Sequence, residues 1–113
     1  MSPTAIDAAT VDDVFTALAD PTRRQLFQTL AERAASSATA LASGMPVSRQ
    51  AVVAHLAVLE RSQLVTSRRA GREVLFSIQP ERLIAAASWM TTLASTWEER
   101  MLLLKRMAEA PPT

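Results

Sequence analysis

The chain has 113 residues, the size of a single domain, and a formal net charge of only +1. Apolar residues make up 49% of it, enough for a packed core, yet no apolar run approaches the roughly 18 residues of a membrane-spanning helix. Cysteine is absent, which excludes disulfides, thiolate metal ligands and thiol chemistry. The first ten residues lack the basic and apolar segments of a secretory signal, so we expect a cytoplasmic protein with no membrane partner.

The charge is distributed unevenly along the chain. Residues 1–22 carry −4, residues 23–47 carry +2, residues 48–76 carry +3, and the remainder is neutral. Eleven of the twelve basic residues are arginines, which suit two-pronged contacts with phosphate and guanine, although a GC-rich genome also enriches arginine. The positive middle of the chain is therefore where we expect nucleic acid to bind.

The N-terminal part predicts a tail followed by a first helix. Residues 1–9 are mostly small and polar and are expected to form a disordered tail, with a single domain over residues 10–110. Thr10 can cap the first helix, which should end near Ala19. The apolar face of this helix consists of Val11, Val14, Phe15 and Leu18.

Residues 20 and 21 predict the start of a second helix. Asp20 is a good N-cap, and Pro21 fits the first helical position, where its missing N–H costs nothing. The helix should run to about Arg33. Arg23, in its first turn, is either a clamp for a DNA phosphate or an ordinary solvated arginine. The buried stripe of the helix is Leu26, Phe27 and Leu30.

Residues 37–60 have the pattern of a helix-turn-helix. Ser36 or Ser37 can cap a short helix, and Gly44 fits the left-handed residue after its end. Ser48 is then a good N-cap for a second helix. Two helices joined by such a short turn are typical of DNA-binding proteins, and the alternative is an ordinary helical hairpin in a core.

The second of these helices has two unlike faces. Arg49 and Gln50 are the best candidates for reading bases, since arginine can bind guanine and glutamine adenine through two hydrogen bonds each, although Arg49 could also be merely solvated. Val53 can touch a thymine methyl group, and Ser48 can contact a phosphate. His55 lies at the edge of the buried face, where it either reaches a phosphate or is a half-buried structural residue. The buried face itself consists of Val52, Leu56 and Leu59.

Residues 64–78 predict a two-stranded hairpin. The strands are expected at 64–69 and 72–78, and Gly71 supplies the positive φ that a tight turn needs. A hairpin with a basic tip directly after a recognition-type helix is a wing that can touch the DNA backbone or minor groove. The alternative is a solvated tip whose arginines keep the sheet edge soluble. The arginines of the tip are Arg68, Arg69 and Arg72.

The last predicted element is a helix over residues 80–107, with Pro80 at its first position. At about 40 Å it would be longer than a domain of this size is wide, so a homodimer through this helix and through Val11 and Phe15 is the economical arrangement. The alternative is that the helix packs back on its own domain. Trp89 lies beside the apolar seam and can line a cavity near the dimer. The seam has heptad spacing and consists of Leu83, Ala87, Met90, Ala94, Trp97, Met101 and Leu104.

Three stretches together resemble the ArsR-type winged helix-turn-helix regulators of bacteria. They are ALADPTRR at 17–24, VSRQAVVAHLAVL at 47–59 and RRAGREVLF at 68–76. The resemblance covers about residues 11–107. It implies a mainly α fold with a small β-hairpin, in the order α-α-α-α-β-β-α. It also implies a dimeric DNA-binding repressor whose first and last helices form the dimer interface.

The chain departs from that family in two respects. Val53 and Ala54 stand where family members often have serine and a basic residue, which leaves base hydrogen bonding largely to Arg49 and Gln50. Much of the specificity would then come from DNA shape and from the spacing between the two halves of a dimer. With no cysteine and one histidine, the chain resembles the branch that does not sense metals, so we expect no metal or cofactor. Any small-molecule effector is unidentified.

The sequence therefore predicts a homodimeric, sequence-specific regulator that binds double-stranded DNA at an inverted repeat and acts as a repressor. One rival is a winged-helix module that binds another protein, which would not need the arginine-rich wing. A second rival is a small enzyme. One histidine, no cysteine and no glycine-rich phosphate loop argue against enzymatic chemistry.

Overall fold

A computed structural model describes residues 8–110. The predicted order of elements is confirmed, with one short strand added before the third helix. No helix in these residues is long and apolar enough to cross a membrane. The elements are α1 Ala8–Leu18, α2 Pro21–Glu32, β1 Ser36–Ser37, α3 Ala38–Ala42, α4 Arg49–Arg61, β2 Val65–Ala70, β3 Glu73–Ile78 and α5 Glu81–Glu109.

The start of α1 differs from the prediction. Ala8 and Ala9 are helical, so Thr10 lies inside the first turn and the prediction that it caps the helix was wrong. Alanine is the strongest helix former, which accounts for the helix starting before the polar residue. The rest of the predicted tail, residues 1–7, lies outside the described residues.

The predicted cap of α2 is confirmed. The Asp20 carboxylate accepts a hydrogen bond from the backbone N–H of Arg23 at 3.0 Å, and Pro21 opens the helix. This hydrogen bond is the main reason why the pKa of Asp20 is lowered from its ordinary value. The cap fixes where α1 ends and α2 begins.

The helix-turn-helix forms where predicted, but Gly44 does not have the expected role. Ser37 caps α3 by accepting from Ala40 N at 3.1 Å. Among the described residues, the glycine with positive φ is Gly71, so the left-handed conformation predicted for Gly44 was wrong. The end of α3 instead closes through tight right-handed turns, with Gly44 N donating to Leu41 O and Met45 N to Ala42 O.

The end of α4 is closed by a left-handed residue that is not glycine. Gln63 has φ 58°, and its N–H donates to Glu60 O at 3.0 Å. Leu64 N donates to Leu59 O at 2.9 Å, and both leucines are fully buried. This pair of bonds with its apolar contact is the Schellman motif, which leads the chain from the recognition helix directly into β2.

The three strands form one antiparallel sheet in the order β1-β3-β2. The wing hairpin pairs Val65 with Ile78 at its base and Ala70 with Glu73 at its tip. Its turn is Gly71 and Arg72, and the positive φ predicted for Gly71 is confirmed at 65°. The strand β1, which pairs Ser36 with Phe76, was missed because two serines carry no strand pattern.

The core lies among α1 to α4, the base of the wing and the start of α5. The predicted stripes of α2 and α4 are confirmed as buried faces, and the first buried position of β2 completes the cluster. Because the stripe of α4 is buried, its opposite face must point to solvent. The largest fully buried side chains are Leu26, Leu30, Leu41, Leu56, Leu59, Leu64, Val14, Val52 and Val65.

The helix α5 packs on the domain only near its start. It has 29 residues, or roughly 43 Å at 1.5 Å per residue, and Pro80 precedes it instead of occupying its first position. Ala86 is fully buried. Phe15 of α1 contacts Trp89 edge-on, with ring centroids 5.8 Å apart, and Arg82 lies 3.7 Å from Asp13. The residues after Trp89 are exposed along the whole remaining length.

Candidate nucleic-acid interface

The N-terminal end of α4 presents the predicted base-reading residues to solvent. Ser48 caps the helix by accepting from Ala51 N at 3.1 Å, as predicted. Arg49, Gln50 and Val53 are exposed, and Val53 exposes 43% of its surface although it is apolar. An exposed valine beside long polar side chains at a helix start can contact the floor of a DNA groove.

Arg49 is held by a side chain from the preceding helix. Its Nε donates to Thr39 Oγ1 at 2.9 Å. Within the described part of the chain, its guanidinium makes no other hydrogen bond or ion pair. Thr39 was not among the predicted site residues, because no local spacing rule connects positions ten residues apart.

The wing carries its three arginines at an exposed tip. Arg69 pairs with Val74 in the hairpin and Arg68 with Leu75, so the two arginines point to opposite faces of the sheet. Arg72 is in the turn. All three side chains are exposed, and no ion pair holds any of them among residues 8–110.

One hydrogen bond ties the base of the wing to the recognition helix. Ser67 Oγ donates to the Glu60 carboxylate at 2.6 Å. Glu60 is in the last turn of α4 and Ser67 is on β2. Together with the Schellman closure at Gln63, this bond fixes the angle between the recognition helix and the wing.

A cleft of about 340 Å³ separates the recognition helix from the wing. It brings Arg49 and Val53 of α4 opposite Arg72 of the turn, a juxtaposition that the sequence did not reveal. Glu73 is an acidic residue in the lining of the same cleft. The full lining is Ser37, Ala38, Thr39, Arg49, Val53, Arg72, Glu73, Val74 and Phe76.

His55 lies apart from this cleft. It is half-buried on α4, and it contributes a small part to the lowered pKa of Asp20, after the larger effect of the Arg23 backbone N–H. His55 therefore faces the start of α2, at the edge of the surface that α4 presents.

Arg23 has a structural role that the sequence did not anticipate. Its Nε donates to Ala17 O at 2.7 Å, and Arg24 Nη1 donates to Leu18 O at 2.7 Å. These are carbonyls at the C-terminal end of α1, which have no partner within their own helix. The guanidinium groups thus join the end of α1 to the start of α2. The phosphate contact predicted for Arg23 stays a prediction.

The seam predicted for the dimer divides into covered and uncovered parts. Val11 is only 5% exposed in its own domain, and Leu83 packs against the core. Phe15 is half exposed at the junction with α5. The uncovered seam residues are Ala87, Met90, Ala94, Trp97, Met101 and Leu104.

Two further predictions concern ligands. Trp89 lines a shallow hollow of about 290 Å³ together with Ala8, Val11, Asp12 and Phe15, at the edge of the uncovered seam. Within residues 8–110, no three histidine or carboxylate side chains are grouped so that they could hold a metal ion.

The comparisons with known proteins agree with this architecture. Residues 18–68 match a protein family described as a helix-turn-helix domain. The HTH-type transcriptional regulator Rv2034 of Mycobacterium tuberculosis is 40% identical over 74 residues, which cover 66% of this chain and 68% of that protein. A transcriptional repressor SmtB homolog of Synechocystis is 42% identical over 66 residues, covering 58% of this chain and 49% of that protein.

Among solved structures, an ArsR-like transcriptional regulator from Rhodococcus sp. RHA1 is 35% identical and has a TM-score of 0.80. The match covers 91% of this chain and 96% of that one. The chain belongs to the ArsR family of winged helix-turn-helix proteins and is a DNA-binding transcriptional regulator.

Proposed function

We propose that the protein is a homodimeric repressor that binds an inverted-repeat operator in double-stranded DNA. The observation that carries this proposal is the placement of the exposed start of α4 opposite the arginine tip of the wing, across one cleft. A helix fits the major groove, and the cleft beside it suits the ridge of phosphates that separates the major from the minor groove. The name of the Synechocystis relative, a transcriptional repressor, supports the sign of regulation. Since the target is chromosomal DNA, we place the protein in the cytoplasm.

The recognition helix would supply the contacts that depend on base sequence. Arg49 can bind O6 and N7 of guanine, and Gln50 can bind N6 and N7 of adenine. Val53 would contact a thymine methyl group. Ser48 and His55, at the start and edge of this surface, would contact the backbone.

The wing would supply contacts that do not depend on sequence. The side chains of Arg68, Arg69 and Arg72 form no ion pair among residues 8–110, so their charge is available to phosphates. Because such contacts release counterions, binding should weaken steeply as salt is raised.

The uncovered seam of α5 would hold the two copies together. Trp97, Met101 and Leu104 expose 63%, 49% and 58% of their surfaces, and an apolar stripe of this length is unusual on a monomer. A two-fold axis that relates the two seams would present two recognition helices to the DNA. The half-sites would then lie about one DNA turn, or a small multiple of it, apart. This symmetry is the reason to expect an inverted repeat.

The test compares Arg49→Ala with Arg69→Ala on an operator selected from genomic DNA and on random DNA. Arg49→Ala should cost about 1–3 kcal/mol on the operator and relax specificity. Arg69→Ala should weaken both DNAs alike and reduce the salt slope by about 1. Fluorescence anisotropy at several salt concentrations measures both effects.

Arg100→Ala is the matched control, since Arg100 is an exposed arginine on α5 away from the cleft. Equal losses on both DNAs for Arg49→Ala and Arg69→Ala would refute the division between helix and wing. No binding to any genomic fragment at low salt would favour a protein-interaction module instead.

A further inference from the structure

The hydrogen bond between α3 and α4 gives Thr39 a task that nothing in the sequence pattern assigns to it. We propose that Thr39 is a positioning residue for base recognition, which holds the Arg49 guanidinium in the orientation that reads guanine. The inference rests on the proposed function, because it assumes that Arg49 contacts a base. Its evidence is the 2.9 Å bond from Arg49 Nε to Thr39 Oγ1.

The backbone that carries each partner of this hydrogen bond belongs to a packed or capped helix. Thr39 lies between Ala38 and Leu41, which are 7% and 0% exposed, so α3 cannot shift without disturbing the core. Arg49 is the first residue of α4 and follows the cap Ser48. Thr39 is β-branched, which restricts its χ1 angle to a small number of rotamers, and in the observed one Oγ1 lies 2.9 Å from Arg49 Nε. The backbone that carries the hydroxyl is held in place by the core, and the hydrogen bond selects the rotamer.

The Thr39 hydroxyl binds Arg49 Nε, which is not needed for a two-pronged contact with guanine. A guanidinium presents its donors in a planar fork, and the Nη1 and Nη2 end of the fork can reach O6 and N7 of guanine. With Nε bound to Thr39, that end stays available while the plane is held. An arginine without such an anchor loses more side-chain entropy when it binds, and it can turn to a phosphate, which carries no sequence information.

The chemistry of the anchor also suits binding to DNA. Thr39 offers a neutral hydroxyl, so the positive charge of Arg49 is not neutralised. A carboxylate in its place would pair with Arg49 and repel phosphates. Within residues 8–110, the only acidic residue that lines this cleft is Glu73, and its carboxylate forms no ion pair with Arg49.

The experiment removes the hydroxyl acceptor of Thr39 in two variants and keeps a hydroxyl in a third. Thr39→Val keeps the β-branched shape, Thr39→Ala adds helix propensity, and Thr39→Ser keeps the hydroxyl. Thr91→Val, on an exposed face of α5, is the control. Each full-length variant is measured by anisotropy on the selected operator, on operators changed at each base pair in turn, and on random DNA.

The first two variants should bind the operator about threefold to tenfold more weakly, as expected for one exposed hydrogen bond. They should lose preference at the same base pair as Arg49→Ala, with unchanged affinity for random DNA and an unchanged salt slope. Thr39→Ser should restore the preference. Adding Thr39→Val to Arg49→Ala should cost nothing further, because both act through one contact.

Three results would overturn the inference. A loss that is equal on operator and random DNA would make Thr39 a backbone contact, and no loss would make the bond irrelevant to binding. In both cases Arg49→Ala would still identify a base pair, so the proposed function would stand. If Arg49→Ala changes no base preference, the base-reading role of Arg49 and the inference fall together.

Discussion

The apolar stripes of α4 and α5 have similar helical spacing but different surroundings. In α4, Val52, Leu56 and Leu59 are each 0% exposed, because α2, α3 and the base of the wing cover them. In α5, Trp97 and Leu104 remain 63% and 58% exposed. The stripe of α5 is covered by its own domain only at Leu83, and its seam residues are exposed from Ala87 onward.

The difference shows that a helical repeat specifies a face but not what covers it. The free energy of burying the α4 stripe enters the folding of one chain. The free energy of burying the distal α5 stripe is available only when a second molecule supplies the surface. Substitutions in the two stripes should therefore change two separate equilibria.

The largest expected effect is in the α4 stripe. Leu56→Ala leaves a cavity in a fully buried position and should lower the free energy of unfolding by about 2–5 kcal/mol. Urea denaturation followed by circular dichroism measures the loss at several protein concentrations. A loss below 1 kcal/mol, or one that vanishes at high concentration, would show that α4 is not covered within the chain.

The second effect is on association. Trp97→Asp should raise the dissociation constant of the dimer at least about tenfold, which is 1.4 kcal/mol, because it places a charge in the seam. Sedimentation at a series of concentrations measures it, and helix content at high concentration should be unchanged.

Leu103→Asp is the matched control for Trp97→Asp. Leu103 is 57% exposed, close to the exposure of Trp97, but it lies outside the heptad seam. It should change the dissociation constant much less. Equal effects of the two substitutions would mean that the seam is not the face that a second copy covers.

The parts of the fold that follow local rules were predictable from the sequence. The caps Asp20, Ser37 and Ser48 each accept from the N–H three residues later, a geometry that depends only on neighbouring backbone. Gly71 likewise adopts the positive φ that a tight hairpin turn requires, which is a local property of the chain. The buried stripes were predictable because helical spacing places their members on one face.

The remaining features depend on residues that are distant in sequence. Ser36 becomes a strand residue only because β3 offers an unpaired edge to it. Arg23 was open to two interpretations, and its contacts with the end of α1 exist only once α1 and α2 pack at their observed angle. The bond between Thr39 and Arg49 requires the turn of the helix-turn-helix to close first. These are the contacts that turn a motif into a shaped interface.

The smallest expected effect is a pH dependence of the free energy of unfolding that comes from the Asp20 cap of α2. The Arg23 backbone N–H is the main cause that lowers the pKa of Asp20 when the chain folds, so its carboxylate adds stability above its unfolded pKa, near 3.8. That contribution is lost as the pH falls through the lower folded value. Asp20→Asn still caps α2 but cannot titrate, so wild type and variant should differ in pH dependence below about pH 5.

The measurement is the free energy of unfolding at pH 7 and at pH 3 for wild type, Asp20→Asn and the control Asp12→Asn, an exposed aspartate of α1. The stability of Asp20→Asn relative to wild type should rise on acidification, and it should rise by more than that of Asp12→Asn, which removes a carboxylate that caps no helix. A relative stability that is constant with pH would mean that the cap hydrogen bond does not depend on charge. The seam residues of α5 are all apolar, so this pH dependence belongs to the folding of the covered part and not to association through the uncovered one.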